Sequence, residues 1–176
     1  MQIKVFKFGG ASVKDADGYR NVGKILHKFK SDKIVIVVSA MGKTTNALEE
    51  VVKSYYAQDG QTSVLLEQIK TNHFLLIQEL FPVTKDVLDD INDTFVEIEW
   101  VLEEMPHEDF DYTYDQIVSI GELLSSKILG HYLRHLEISS QWIDVRDVIL
   151  TDNTYRDAKV IWDTTQKNAT QKITPL

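Results

Sequence analysis

The chain has 176 residues, enough for one domain with a real core, and carries 27 acidic against 19 basic residues for a formal charge of -8. That field opposes nucleic acid and anionic membrane surfaces, so neither is expected as a partner. Cysteine is absent, which excludes disulfides, thiolate zinc sites and iron–sulfur clusters.

Taken in chain order, "IKVFKF" at residues 3–8 reads as a strand; Lys4 and Lys7 interrupt it, so it is no secretory signal core. Residues 19–29 read as a helix with Val22, Ile25, Leu26 and Phe29 on one side. "KIVIVVSA" follows, a continuous β-branched run of the kind found in a parallel strand covered on both faces. Its "IVIVV" is the longest apolar run and far short of a membrane span, so a soluble cytoplasmic protein is expected. Helical spacing then recurs three times: Leu65, Ile69, Leu76 and Leu80 within 62–80, Leu88, Ile91, Phe95, Ile98 and Leu102 within 85–104, and Ile117, Leu124, Ile128 and Leu136 within 114–136. "MPHEDF" separates the last two. "ISSQWID" and "AKVIW" read as further strands, and the closing "QKNATQKITPL" as the inside or end of a helix. Strands separated by helices predict an α/β fold, a three-layer α/β/α sandwich with a mainly parallel sheet.

Four stretches carry candidate chemistry. In "KVFKFGGASVKD" a strand ends at Gly9-Gly10 with a helix soon after, leaving backbone N–H groups unobstructed by Cβ atoms, a geometry that suits an oxyanion. Lys7 adds a compact positive charge and Ser12 a hydroxyl donor; the plain alternative is a tight turn. "VVSAMGKTTNAL" contains Gly42-Lys43-Thr44, the end of a Walker pattern, but Val37 stands where the first glycine is required, which argues against a P-loop. In "SIGELLSSKIL", Glu122 has mainly apolar neighbours, so its carboxylate either faces a pocket or is an ordinary helical glutamate. In "WIDVRDVILTD", Asp144 and Arg146 are either ligand contacts or a loop ion pair.

Two further features have plain readings. His131 and His135 lie one turn apart, but "HYLRH" lacks the metalloprotease glutamate and a nearby third ligand, so surface or ring-packed histidines are expected and no metal site. From Asp86 to Ser126 there are 13 acidic residues and no Lys or Arg, the mark of a solvated helical surface, with a protein interface as the minority reading.

"KFGGASV", "VVSAMGKTTNAL", "SIGELLSS" and "DVRDVILTD", in this order and over essentially the whole chain, resemble the N-terminal part of the aspartate kinases, in the amino-acid kinase family. Ala11 stands where threonine is commoner. The resemblance implies ATP- and Mg2+-dependent phosphorylation of the side-chain carboxylate of L-aspartate to 4-phospho-L-aspartate, the step that opens the route to lysine, threonine, methionine and diaminopimelate. It implies that Lys7, Gly9, Gly10 and Ser12 contact the ATP phosphates, with Lys7 the main catalytic cation. Ser39 and Thr45 would line the aspartate and transfer site, and Glu122 would receive the substrate ammonium.

The resemblance also implies that the rest of the catalytic domain and the ACT regulatory domains lie outside residues 1–176, that these residues alone are inactive, and that the full-length protein is a homo-oligomer. Two rivals stand beside it: an amino-acid kinase acting on glutamate or an acylated glutamate, and a non-catalytic binding module that keeps the fold.

Overall fold

The structure, a computed structural model, describes residues 3–174 and divides into two compact units, Met1–Gln141 and Trp142–Leu176. In the first, β1 (Lys4–Phe8) and β2 (Ile34–Val38) pair in parallel, Lys4 beside Ile34 through to Phe8 beside Val38. They are joined through a 3-10 turn (Gly10–Val13) and α1 (Ala16–His27). α1 begins at Ala16 because Asp15 caps it, accepting from the Gly18 N–H at 2.8 Å, and it buries Tyr19, Val22 and Leu26 at helical spacing. Phe6 meets Phe29 edge-on at 5.0 Å, whereas Val5 and Val37 are 66% and 45% exposed. Alternation puts those two valines on the opposite face from Phe6. The α/β class and the parallel pairing therefore hold, with that sheet face open among the described residues.

Five helices complete this unit: α2 (Thr44–Ala57), α3 (Thr62–Leu80), α4 (Lys85–Glu103), α5 (Phe110–Val118) and α6 (Ile120–His135). α6 sits deepest, with Leu124, Ile128 and Leu129 all buried, and the core around it includes Leu48 and Val51 of α2, Ile77 of α3 and Phe95 and Ile98 of α4. Each such side chain contributes about 1.5–3 kcal/mol by leaving water. Among the described residues no helix is long and apolar enough to cross a membrane.

Three expectations need correction. The helix expected over 114–136 is two helices, because the ladder breaks at Ser119, whose N–H turns to the Ile117 carbonyl while its own carbonyl receives the Glu122 N–H at 3.3 Å. "ISSQWID" is not a strand. Glu137 takes a left-handed conformation (φ 57°), so that its N–H reaches the Arg134 carbonyl and the Ile138 N–H reaches that of Leu133, a paired closure of the end of α6. "AKVIW" makes one antiparallel bridge, Val160 with Thr151, before Trp162 opens α7 (Trp162–Lys172).

The second unit is held by polar ties. Leu150 donates its N–H to the Thr165 hydroxyl oxygen at 3.0 Å, Lys172 pairs with Asp147 at 2.9 Å, and Asp152 accepts from the Thr154 and Lys159 N–H groups. Those backbone donors hold the Asp152 carboxyl below the usual range. Pro175 and Leu176, at the end of the sequence tail, lie outside the described residues.

One buried group makes stability depend on pH. His73 of α3 is 1% exposed, and its Nδ1 lies 2.8 Å from the Ile69 carbonyl, which places the ring proton there. Nε2 is buried without a hydrogen-bond partner among the described residues. Burial therefore lowers the His73 pKa below its ordinary value of 6.5. The unfolded chain takes up a proton below about pH 6.5 while the folded chain does not, so stability falls as pH drops through that window, by at most about 1.4 kcal/mol per unit. Thermal melts from pH 7.5 to 5.5 should show this decline, and His73→Leu should flatten it; an equal slope in the variant would contradict the assignment.

Candidate functional site

Gly9, Gly10, Ser12 and Ser39 sit on the segments that leave the C-terminal ends of the two parallel strands. Two backbone hydrogen bonds tie these loops: the Ser39 N–H donates to the Phe8 carbonyl at 3.0 Å, and the Gly42 N–H to the Gly10 carbonyl at 3.2 Å. A Cβ on Gly10 would lie 2.8 Å from the Ala40 carbonyl oxygen and 3.1 Å from that of Gly42, so this close approach requires glycine. The Ser12 N–H closes the turn onto the Gly9 carbonyl at 2.8 Å, leaving the Ser12 side chain exposed.

Past β2 the chain enters α2. The Thr44 hydroxyl and N–H both donate to the Met41 carbonyl, at 2.7 and 2.9 Å, which starts the helix with Thr45 half-buried in its first turn. That turn contains no acidic residue and no side-chain cap, so its amide dipoles present positive potential beside the glycine loop.

Lys7 is the fourth residue of β1, beside Val37 and exposed. Among the described residues it has no carboxylate partner, unlike Lys4, which pairs with Asp32 at 2.6 Å. Its charge is available to an anion. Glu122 lies in the first turn of α6, half-buried and likewise without an ion-pair partner among the described residues. Gly121 brings it to the site: a Cβ there would lie 3.2 Å from the Ala40 Cβ and 3.4 Å from the Thr44 Cγ2, so the start of α6 packs on the β2–α2 loop. The Ser125 hydroxyl adds a tie to the same loop, donating to the Ser39 carbonyl at 2.5 Å.

Lys7, Gly9, Gly10, Ser12, Ser39, Thr45 and Glu122 are thus carried by three segments that are bonded or packed together. Asp144 and Arg146 form a loop ion pair, Nη2 to Oδ2 at 2.7 Å, in the second unit. His131 Nε2 lies 2.8 Å from Asp90 Oδ2, and Asp90 also accepts from Lys127 at 2.8 Å. Burial would raise the Asp90 pKa, but these hydrogen bonds outweigh it and hold the carboxyl below its usual range. His135 packs its ring on Phe81 at 5.9 Å. No group of three metal-ligating side chains occurs among the described residues. Two broad concavities of about 670 and 650 Å³, both lined by Tyr55, Glu104 and Met105, hold none of the seven residues; the acidic stretch borders them. Sequence reasoning missed Gly42, Thr44 and Ser125 as supports, although all three lie inside the stretches singled out.

The amino acid kinase family model matches residues 2–175. The chain belongs to the amino acid kinase family. Within it, the chain is similar to Aspartokinase 1, chloroplastic, of Arabidopsis thaliana, 33% identical over 157 residues that make up 85% of this chain and 27% of that protein. It is similar to the lysine-sensitive aspartokinase 3 of Escherichia coli (strain K12), 28% identical over 90% of this chain and 34% of the relative. The solved structure of E. coli aspartokinase III in complex with aspartate and ADP (R-state) superposes with a TM-score of 0.88 at 25% identity, over 99% of this chain and 38% of the other. The chain therefore spans between 27% and 38% of the length of these family members.

Proposed function

We propose that this chain forms the phosphate-binding and ammonium-recognising side of an aspartate kinase, as the N-terminal part of its catalytic domain. The reaction is transfer of the γ-phosphoryl group of ATP to the side-chain carboxylate of L-aspartate, giving 4-phospho-L-aspartate, the first step of the aspartate-family pathway. The observation that carries this reading is the joining of an uncommitted Lys7 and the glycine loop to the start of α2 and to Glu122. The aspartokinase relatives, which match 85–90% of the chain, support it.

The residues suit the chemistry. Aspartate is ionised near neutral pH, so no general base is needed to make the nucleophile. The difficulty is electrostatic, because two anions must meet and charge moves onto the leaving phosphate oxygen. Lys7, the Gly9–Gly10 amides, the Ser12 hydroxyl and the first turn of α2 would hold the phosphates, and a Cβ built on Gly9 meets nothing within 4 Å, so there is room beside it for an oxyanion. Magnesium, arriving with the nucleotide, would supply further positive charge there. Ser39 and Thr45 would face the transferring group, while Glu122 takes the substrate ammonium away from the phosphates. The remaining nucleotide and substrate contacts, the ACT regulatory domains and a homo-oligomeric, cytoplasmic enzyme belong to the same proposal.

ADP release by the kinase that contains this chain, compared with aspartate, glutamate and N-acetylglutamate as acceptors, tests it. Preference for aspartate is expected; preference for either glutamate acceptor, or no acceptor-dependent release, would overturn the reading.

A further inference from the structure

Ser39 has both of its backbone groups engaged by different elements. Its N–H goes to Phe8, at the end of the strand that carries Lys7, and its carbonyl receives the Ser125 hydroxyl from the helix that carries Glu122. Ser125 is 0% exposed. Its own carbonyl accepts from the Tyr19 hydroxyl of α1 at 3.1 Å, in a site where burial pushes the tyrosine pKa far above its ordinary value, so Tyr19 stays protonated and a donor. Glu122 and Ser125 are three residues apart on α6, and side chains at that spacing share a side of a helix.

We infer that Ser125 is a positioning residue whose hydroxyl sets the spacing between Ser39, on the phosphoryl-transfer side, and Glu122, on the ammonium side, with Tyr19 holding Ser125 in place. The inference rests on the aspartate kinase reading of the site. Aspartate and glutamate differ by one methylene between ammonium and reacting carboxylate, so the distance from Glu122 to the transfer site is the quantity that separates them. One methylene is worth roughly 10–200-fold in discrimination. Deleting the Ser125 hydroxyl leaves the part-buried Ser39 carbonyl without this donor, and the Ser39 loop is then free to shift; displacement by about 1 Å can cost a hundredfold in rate. A hydroxyl that merely stabilised the fold would move none of these ratios.

The test compares Ser125→Ala, Ser125→Cys, Tyr19→Phe, Ile128→Val and Glu122→Gln in the kinase that contains this chain. Readouts are kcat and KM for aspartate, the aspartate-to-glutamate ratio of kcat/KM, and Tm. Ser125→Ala should lower that ratio by about tenfold or more, by misplacing the reacting carboxylate. Ser125→Cys, a weak donor of similar size, should fall between it and the wild type, and Tyr19→Phe should shift the ratio the same way by less. Ile128→Val, also buried on α6, should lower Tm and leave the ratio unchanged. An unchanged ratio in Ser125→Ala, with Tm lowered as in Ile128→Val, overturns the inference. Where Ser125→Ala does not fold, unchanged ratios in both Ser125→Cys and Tyr19→Phe overturn it equally. Glu122→Gln separates the two claims: if it raises the aspartate KM and the Ser125 variants change nothing, only the positioning role fails, whereas an unchanged KM means the site reading itself has failed.

Discussion

Replacing Lys7 by alanine in the kinase that contains this chain is expected to lower kcat by about a hundredfold or more, with a much smaller change in the aspartate KM. Lys7 stands one residue before the Phe8 carbonyl that anchors Ser39 and two before Gly9, exposed and without a carboxylate partner among the described residues. On the proposed reading a cation placed there would meet the phosphates, and its worth would rise as charge develops on the leaving oxygen. Removing it should therefore be felt in turnover more than in aspartate binding. Steady-state kinetics at saturating ATP decide this, and near-normal kcat would remove Lys7 from the catalytic role.

Glu122→Gln is expected to act on the other side of the site, raising the aspartate KM by about 10- to 150-fold with kcat changed much less. On the proposed reading the substrate ammonium would exchange a carboxylate acceptor for a neutral amide oxygen, at a cost of about 1.5–3 kcal/mol. Glutamine keeps the shape of the side chain, so the packing of Gly121 against Ala40 and Thr44 should survive. Initial rates against aspartate concentration give the answer; an unchanged KM would return Glu122 to an ordinary position on α6.

Much of the first unit is legible in the sequence where side-chain pattern decides structure. β2 is a β-branched run, β1 carries Val5, Phe6 and Phe8 beside its two lysines, and α3 occupies the residues expected from the helical spacing of Leu65, Ile69, Leu76 and Leu80. The expectations that failed concern backbone events. The hydrophobic period continues straight through Ser119, while the hydrogen-bond ladder does not. Ile138 and its neighbours have strand-like side chains, but a strand needs a partner, and the Ile138 N–H is committed to Leu133. α2 is not among the helices expected from the sequence, although Leu48, Val51, Val52 and Tyr55 are spaced as on one helical face.

The candidate site divides the same way. Lys7, Gly9, Gly10, Ser12 and Glu122 stand out as residue types in context, because a glycine pair after a strand and a carboxylate among apolar neighbours are visible in one dimension. Their assembly is not visible. It depends on the Ser39 and Gly42 amides bonding to the neighbouring loop and on the Ser125 hydroxyl reaching a carbonyl 86 residues away. Serine within an apolar helix commonly bonds within its own turn, and Ser126 does so, donating to Leu123; nothing in the sequence tells the two serines apart.

If the reaction places phosphate on a side-chain carboxylate oxygen of aspartate, trapping the acyl phosphate with hydroxylamine measures it directly. The kinase that contains this chain, supplied with ATP, magnesium and aspartate, should yield aspartyl β-hydroxamate at a rate that follows ADP release and is lost in Lys7→Ala. ADP release without hydroxamate, or hydroxamate formed equally well by Lys7→Ala, would contradict the account.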